Sequence, residues 1–393
     1  MKVVYISNKG ETGGAARSQM ALIEELKKKY DVTPIVLTYS KGILSKLCDE
    51  QGIENYALSY EPFMIGGGST KLRKAVKTIL MPAYKFRKSV HDKKALKAIS
   101  KQIDFSGIDL IHTNTNRDDF GAILSEKYDV PHVWHIREFG DLDYDCIFLK
   151  SDAFKYMNSV KGVFITISDA VSRAWIEKGI DKTRVYRVYN GIDTLKYDSE
   201  TKRSFAEKDL KFIFTGTLYE NKGQIQVMKA LLMLPKEVRS HITVDFYGGG
   251  AKEYIDYLLK WCDEHGIADR IKYCGFSKNL NNILPQYDGA FVCSKAEGFG
   301  RVTVEHMLSG LIVIASDSGA NPELIVDGVS GFLYKSQDVK SLCDCIIKVY
   351  NNRECLPQIT EAARKTVIDK FTKELNAEGV YSVYKKVVQQ YGE

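Results

Sequence analysis

Several things that this 393-residue sequence lacks narrow its class before any motif is considered. No apolar run approaches the roughly 18 residues of a membrane-spanning helix. The first residues, Met1 to Ser7, carry one lysine and a short apolar stretch that runs into a polar, Gly-rich loop, the pattern of an opening β-strand and not of a secretory leader. The eight cysteines (48, 146, 262, 274, 293, 343, 345, 355) contain no Cys-x-x-Cys pair and read as reduced, mostly buried thiols of a cytoplasmic protein. Internal repeats and low-complexity tracts are absent, and no G-x-G-x-x-G follows the first strand, which argues against a nicotinamide dehydrogenase. Net charge is also scarce: 56 basic and 50 acidic residues leave +6, too thin a spread over this length to indicate a nucleic-acid partner. With 44% hydrophobic and 27% charged residues, disordered and fibrous classes are excluded as well.

What is present is an alternation of short β-branched runs with longer helical ones, the signature of βαβ units and parallel sheets. Strands are expected at 3–6, 32–37, 110–113, 132–135, 163–167 and 185–189, then at 212–215, 242–246, 271–274, 290–293 and 312–315, with helices such as 15–29 and 170–178 between them. A polar stretch near 193–209 interrupts the pattern. At about 150 residues per domain the length fits two, read as doubly wound α/β domains over 1–195 and 205–370 whose sheets face a ligand cleft. A last amphipathic helix over 371–393, with Val380, Val383, Tyr384, Val387, Val388 and Tyr391 on one stripe, is expected to return to the first domain.

The second half carries the most informative segment, a strand ending in Cys293, a turn through Glu297-Gly298-Phe299-Gly300, a helix containing Arg301 and Glu305, and another strand. The glycines let backbone pass close to a ligand, and the first turn of the helix offers N–H groups to an anion. Glu297 and Glu305 lie about two turns apart and can border one site, where carboxylates suit a hydroxyl-rich ligand. Lys222 and Arg301 can add positive charge for a phosphate.

Here the sequence resembles the retaining GT-B glycosyltransferases, specifically glycosyltransferase family 4, whose E-x7-E signature is matched by Glu297 and Glu305. The resemblance continues through G-T-L-Y-E-N-K-G (Gly216–Gly223), the turn Tyr247-Gly248-Gly249-Gly250, Gly275-Phe276, and Ser318–Glu323 followed by Asp327-Gly328 and Gly331-Phe332. It implies a GT-B fold and transfer of a sugar, with retention, from a nucleotide-diphosphate sugar to an acceptor hydroxyl, as in cell-surface polysaccharide or glycolipid assembly. It implies Glu297 as a catalytic residue and Gly216, Lys222, Gly248, Phe276, Gly298, Phe299, Gly300, Arg301 and Glu305 as donor-binding residues, with no cofactor and no metal. Thr217 departs from the family, which commonly has arginine there to hold the diphosphate. A nucleotide-sugar epimerase on the same fold and a non-catalytic sugar-binding protein are the alternatives.

In the first half, Gly13, Gly14 and Arg17 match the family's loop lining the acceptor side, and His135 matches a histidine that contacts the transferred sugar, which makes it the second catalytic candidate. His112 is a weaker one, and Asn190-Gly191 marks the boundary before the linker. The triplet Asp141, Asp143, Asp145 has the D-x-D spacing of a metal site but reads as a solvated loop. Charge concentrates in one place: residues 71–101 hold eleven basic groups and one acid, Asp92, for +10, leaving −4 for the rest of the chain. Pro82 splits this segment into two helices, and Leu72, Val76, Ile79 and Leu80 give the first an apolar face. The composition fits an interfacial helix on an anionic membrane, with lipid-linked or oligosaccharide acceptors and a peripheral location on the inner face of the plasma membrane.

Overall fold

The computed structural model describes residues 1–7, 14–66, 71–197 and 205–391. The chain forms two compact units, one of Met1–Gly191 with Lys373–Glu393 and one of Ile192–Thr372. The first contains the strands β1 (Lys2–Ile6), β2 (Thr33–Thr38), β3 (Glu54–Ala57), β4 (Met64–Gly66), β5 (Leu110–Thr113), β6 (His132–Ile136), β7 (Cys146–Phe148), β8 (Gly162–Thr166) and β9 (Val185–Arg187). Seven of them make a parallel sheet in the order β3-β2-β1-β5-β6-β8-β9, while β4 and β7 pair antiparallel as a separate ribbon. The second unit contains β10 (Leu210–Thr215), β11 (Ile242–Tyr247), β12 (Ile271–Gly275), β13 (Gly289–Val292), β14 (Ile312–Ser316) and β15 (Phe332–Tyr334) in the parallel order β12-β11-β10-β13-β14-β15. Both are Rossmann-like α/β sheets.

The central strands are covered on both faces, which is why they read as unbroken apolar runs: Val3, Val4, Tyr5 and Ile6 are all fully buried. Strands that lack such a run escaped the pattern. β3 is a polar edge strand, and β4, β7 and β15 are three residues each. In both sheets the winding reverses once, between β1 and β5 and between β10 and β13, and a crevice at the carboxyl ends of such neighbours is where doubly wound sheets take their ligands.

The last helix, Lys373–Tyr391, belongs to the first unit: Ala377, Val380, Val383, Tyr384 and Val387 share a buried cluster with Val3, Tyr5, Ile23 and Leu26. The basic segment folds as two helices, Lys71–Ile79 and Met81–Ile99, with Pro82 in the first turn of the second, where its missing N–H breaks no helical bond. Not all of the charge in this segment faces outward. Lys88 is buried, its ammonium 2.7 Å from Asp92 and 2.5 Å from Asp119, because Lys88, Asp92, Ala95 and Ile99 form the inner face of the helix. Arg87 pairs with Glu61 at 3.0 Å, and Lys77 donates to the Gly66 carbonyl. Among the described residues no helix is long and apolar enough to cross a membrane.

Candidate active site

In the second unit, the loops after β10 and β13 meet at the reversal of winding. The loop after β10 ends in a turn of 3-10 helix, Glu220–Lys222, and is tied to its neighbour by the Lys295 N–H, which donates to the Asn221 carbonyl at 2.9 Å. Gln226, just beyond, donates to the Cys293 carbonyl at 3.1 Å. This brings the Lys222 ammonium to 2.5 Å from Glu297 Oε1, and the Ser294 hydroxyl donates to the same oxygen at 2.6 Å. The backbone of Glu297 is clamped as well: its carbonyl accepts from the Ala320 N–H at 2.8 Å, and a Cβ on Gly319 (φ +58°) would lie 2.4 Å from that same carbonyl. Only glycine permits so close an approach.

A second ring of side chains supports this arrangement. Ser316 and Ser318 both donate to the Ser294 carbonyl at 2.8 Å, Asn321 donates to the Ser316 carbonyl at 3.0 Å, and Thr303 donates to Asn321 Oδ1 at 3.0 Å. Thr303 lies on the helix Arg301–Leu308, which opens at Gly300 with φ +79°, a residue with no side chain to cap the helix. The positive end of that helix therefore lies beside Glu297 uncapped by any side chain at Gly300, suited to an anion. Arg301 Nε donates to Glu305 Oε1 at 2.9 Å one turn along. The side chains of Glu297, Glu305, Lys222 and Arg301 retain 12%, 13%, 25% and 28% exposure, shielded enough to strengthen their pairing yet open to a ligand.

The other expected donor residues divide by what their side chains do. Gly216, Gly248 and Gly275 close three adjacent strands in contact with one another: the Gly216 N–H donates to the Tyr247 carbonyl at 3.0 Å and the Gly248 N–H to the Gly275 carbonyl at 2.9 Å. Phe276, next along, is 71% exposed. Phe299 is buried with its ring edge-on to Phe371, centroids 5.7 Å apart, so its means of touching a ligand is its backbone. Thr217 is exposed.

In the first unit, His135 lies near the end of β6, fully buried. Its Nδ1 is 3.1 Å from His112 Nε2 and accepts from Arg137 at 3.2 Å; its Nε2 has no hydrogen-bond partner among the described residues. Arg137 is itself pinned, with Nε donating to the Asn114 carbonyl (3.0 Å) and side chain (2.9 Å) and NH1 to Asn190 Oδ1 (2.5 Å). Burial, reinforced by the nearby guanidinium, holds both His112 and His135 well below the usual imidazole range, so both rings are neutral. Gly14 opens the first helix, on which Arg17 is exposed; Gly13 lies outside the described residues. Asp141 of the acidic triplet is ion-paired with Lys178 at 2.5 Å, and the Asp143 side chain lies outside the described residues.

Sequence reasoning gave no site role to Ser294, Arg137, Asn114 or Tyr384, assigned Asn190 only to a turn, and placed Gly319 and Asn321 only within the matched element Ser318–Glu323. Ser294 had a local signal, a hydroxyl three residues before Glu297. Arg137 lies two residues from His135, whereas Asn114, Asn190 and Tyr384 are brought in by the fold from distant parts of the chain.

Residues 197–366 match the family model of Glycosyl transferases group 1, and residues 12–196 match that of Glycosyltransferase Family 4. EpsD of Bacillus subtilis is 27% identical over 183 residues, spanning 47% of this chain and 47% of EpsD. The capsular polysaccharide biosynthesis glycosyltransferase CapH of Staphylococcus aureus is 21% identical over 330 residues, 82% of this chain and 83% of CapH. The crystal structure of Anabaena HepE in complex with UDP is similar with a TM-score of 0.78 at 22% identity, covering 98% of this chain and 100% of HepE, and HepE is also known in complex with UDP-glucose.

Proposed function

Because the chain belongs to the group 1 glycosyltransferases of GT-B fold, with a relative in capsular polysaccharide biosynthesis, we propose that it transfers a sugar, with retention and without a metal, from a nucleotide-diphosphate sugar to an acceptor hydroxyl. The observation that carries this reading is the Lys222–Glu297 pair at 2.5 Å beside the start of the helix Arg301–Leu308. The diphosphate takes Lys222, Arg301 and the amides of Gly298 to Gly300, where charge developing on the leaving group is stabilised without reorganisation. Glu297 is then released to the sugar, and Glu305 accepts from the ribose hydroxyls. His135, in the first unit, contacts the transferred sugar, and Gly14 and Arg17 serve the acceptor.

The acceptor is lipid-linked or an oligosaccharide, and the enzyme works on the inner face of the plasma membrane. Leu72, Val76 and Ile79 stand exposed on one stripe of the helix Lys71–Ile79, and Leu80 and Phe86 follow it, among lysines that suit anionic headgroups.

A thermal-shift screen against UDP-, GDP-, ADP- and TDP-sugars, starting with UDP-glucose, tests the donor assignment. A donor at a hundredfold its Kd stabilises the fold by about 2.7 kcal/mol, and Lys222→Ala abolishes that shift. No shift with any donor sinks the reading, and an epimerised free donor formed without acceptor points to an epimerase instead. Co-sedimentation with anionic vesicles at low salt tests the membrane surface; protein left in the supernatant removes it.

A further inference from the structure

Beneath His135 lies a chain of buried polar groups whose hydrogen-bond directions can be worked out. Tyr384, on the C-terminal helix, places its hydroxyl 2.5 Å from His112 Nδ1 and 3.3 Å from the hydroxyl of Tyr5. His112 Nε2 lies 3.1 Å from His135 Nδ1, which also receives Arg137. All four rings are buried, so their hydrogen bonds run to one another and not to bulk water.

A guanidinium only donates. With Nε and NH1 committed to Asn114 and Asn190, Arg137 directs NH2 at His135 Nδ1, which must accept. His135 is neutral, so its one proton is on Nε2. His112 Nε2 faces that same acceptor and must be the donor, which leaves His112 Nδ1 bare. Tyr384 has a single hydroxyl proton: the 2.5 Å contact to the bare His112 Nδ1 takes it in preference to the longer 3.3 Å contact with Tyr5, whose own hydroxyl is then the donor to the Tyr384 oxygen. The order runs from Tyr384 to His112 to His135, and it ends in an N–H on His135 Nε2 that is fully buried and has no partner among the described residues. A buried donor left unpaired is costly, and an arriving oxygen acceptor removes that cost.

We propose that Tyr384 and Arg137 are positioning residues that fix His135 as a neutral ring presenting Nε2–H to a hydroxyl or ring oxygen of the ligand. His135 thereby acts as a hydrogen-bond donor and not as a base. Arg137 imposes this state directly, and Tyr384 imposes it through His112, so the last helix of the chain sets the chemistry of a residue near the end of β6. The inference rests on the reading that His135 meets a ligand. It supplies what that reading leaves open, the direction of the hydrogen bond and the groups that decide it.

The test uses the full chain labelled with nitrogen-15 histidine, with His112 and His135 assigned from H112Q and H135Q. In the wild type both rings are expected to show a protonated Nε2 and a bare Nδ1 near neutral pH. In Y384F the His112 nitrogens shift toward a mixture of tautomers, and kcat for nucleotide diphosphate release falls about tenfold while the donor KM stays within about twofold. Y5F, which keeps the Tyr384 donor, leaves the shifts and kcat unchanged. A wild-type His135 protonated on Nδ1 overturns the proposal even without a variant. So does a Y384F protein with wild-type shifts and kcat, or a Y5F protein that behaves like Y384F, since packing and not the hydroxyl would then be responsible. H135Q with wild-type turnover removes the reading beneath the proposal, and is distinguished from failure of the lock, which shows in the His112 shifts.

Discussion

The two candidate sites solve opposite problems. In the second unit the working groups are charged, partly exposed and paired with one another: Lys222 with Glu297, Arg301 with Glu305. In the first unit His112 and His135 are neutral, fully buried and held by a network whose partners come from as far away as Tyr384, 272 residues beyond His112. Charged pairs that retain some exposure can exchange partners with an incoming ligand at modest cost, because water and the ligand both compensate the separated charges. A buried neutral network cannot exchange partners in this way, and it offers one fixed hydrogen-bond direction. The second unit is thus suited to capturing a polyanion, and the first to positioning one polar contact.

The strongest way to break this comparison is to remove the charge on Glu297 while keeping its shape. Glu297→Gln retains an acceptor for Ser294 but leaves Lys222 without its counter-ion. Turnover is expected to fall by about 10²–10³, the usual cost of one preorganised electrostatic contact at a reacting centre. His135→Gln, at the neutral site, is expected to cost less, about tenfold, the worth of one neutral hydrogen bond. Steady-state kinetics of both variants decides it: a loss in H135Q equal to or larger than that in E297Q would reverse the division of labour drawn between the units.

The second effect is on stability and tests what burying charge does in the first unit. Asp118 is buried beside Asp119, and burial pushes its carboxyl from 3.8 up to about 7, against the pull of Lys88. The folded chain therefore holds this proton more tightly than the unfolded one. The resulting stability is complete below about pH 4 and is lost as pH rises toward 7. Asp118→Asn fixes the neutral form, so melting temperatures of variant and wild type should agree at low pH and separate by several degrees above pH 7, the variant being the more stable. A separation in the other direction would show that the ionised carboxylate is supported by Lys88 and that the first unit tolerates charge as readily as the second.

The difference between the sites also explains how much of each was legible in the sequence. Glu297, Gly298, Gly300, Arg301 and Glu305 lie within nine residues, on one strand–turn–helix, so their spacing alone places them together. The parallel sheets were visible for the same reason, since apolar runs such as Val3–Ile6 are local features. The support for His135 is not local. Arg137 is two residues away, but Asn114, Asn190 and Tyr384 reach it only because β5, β6 and the last helix are neighbours in the folded unit. Lys88 shows the converse: its charge was visible and its fate was not, because the outward or inward face of the helix Met81–Ile99 depends on Asp119 from another segment. Spacing reveals a site when one supersecondary unit builds it, and hides it when the sheet order does.

The smallest effect concerns Arg301 and sharpens the claim about exchangeable charges. Its pair with Glu305 spans one helical turn at 2.9 Å, with 28% and 13% of the two side chains exposed. A pair of this kind contributes about 0.3–0.5 kcal/mol to the fold. Arg301→Gln should therefore shift the melting temperature by no more than about 2 °C. If the guanidinium transfers from Glu305 to a donor phosphate, the same variant should raise the donor KM several-fold with kcat nearly unchanged, since the contact would be made alike in ground and transition states. Calorimetry with donor kinetics on one preparation separates the outcomes. A KM that does not move, together with an unchanged melting temperature, would assign Arg301 to the helix surface and leave Lys222 as the cation that holds the diphosphate.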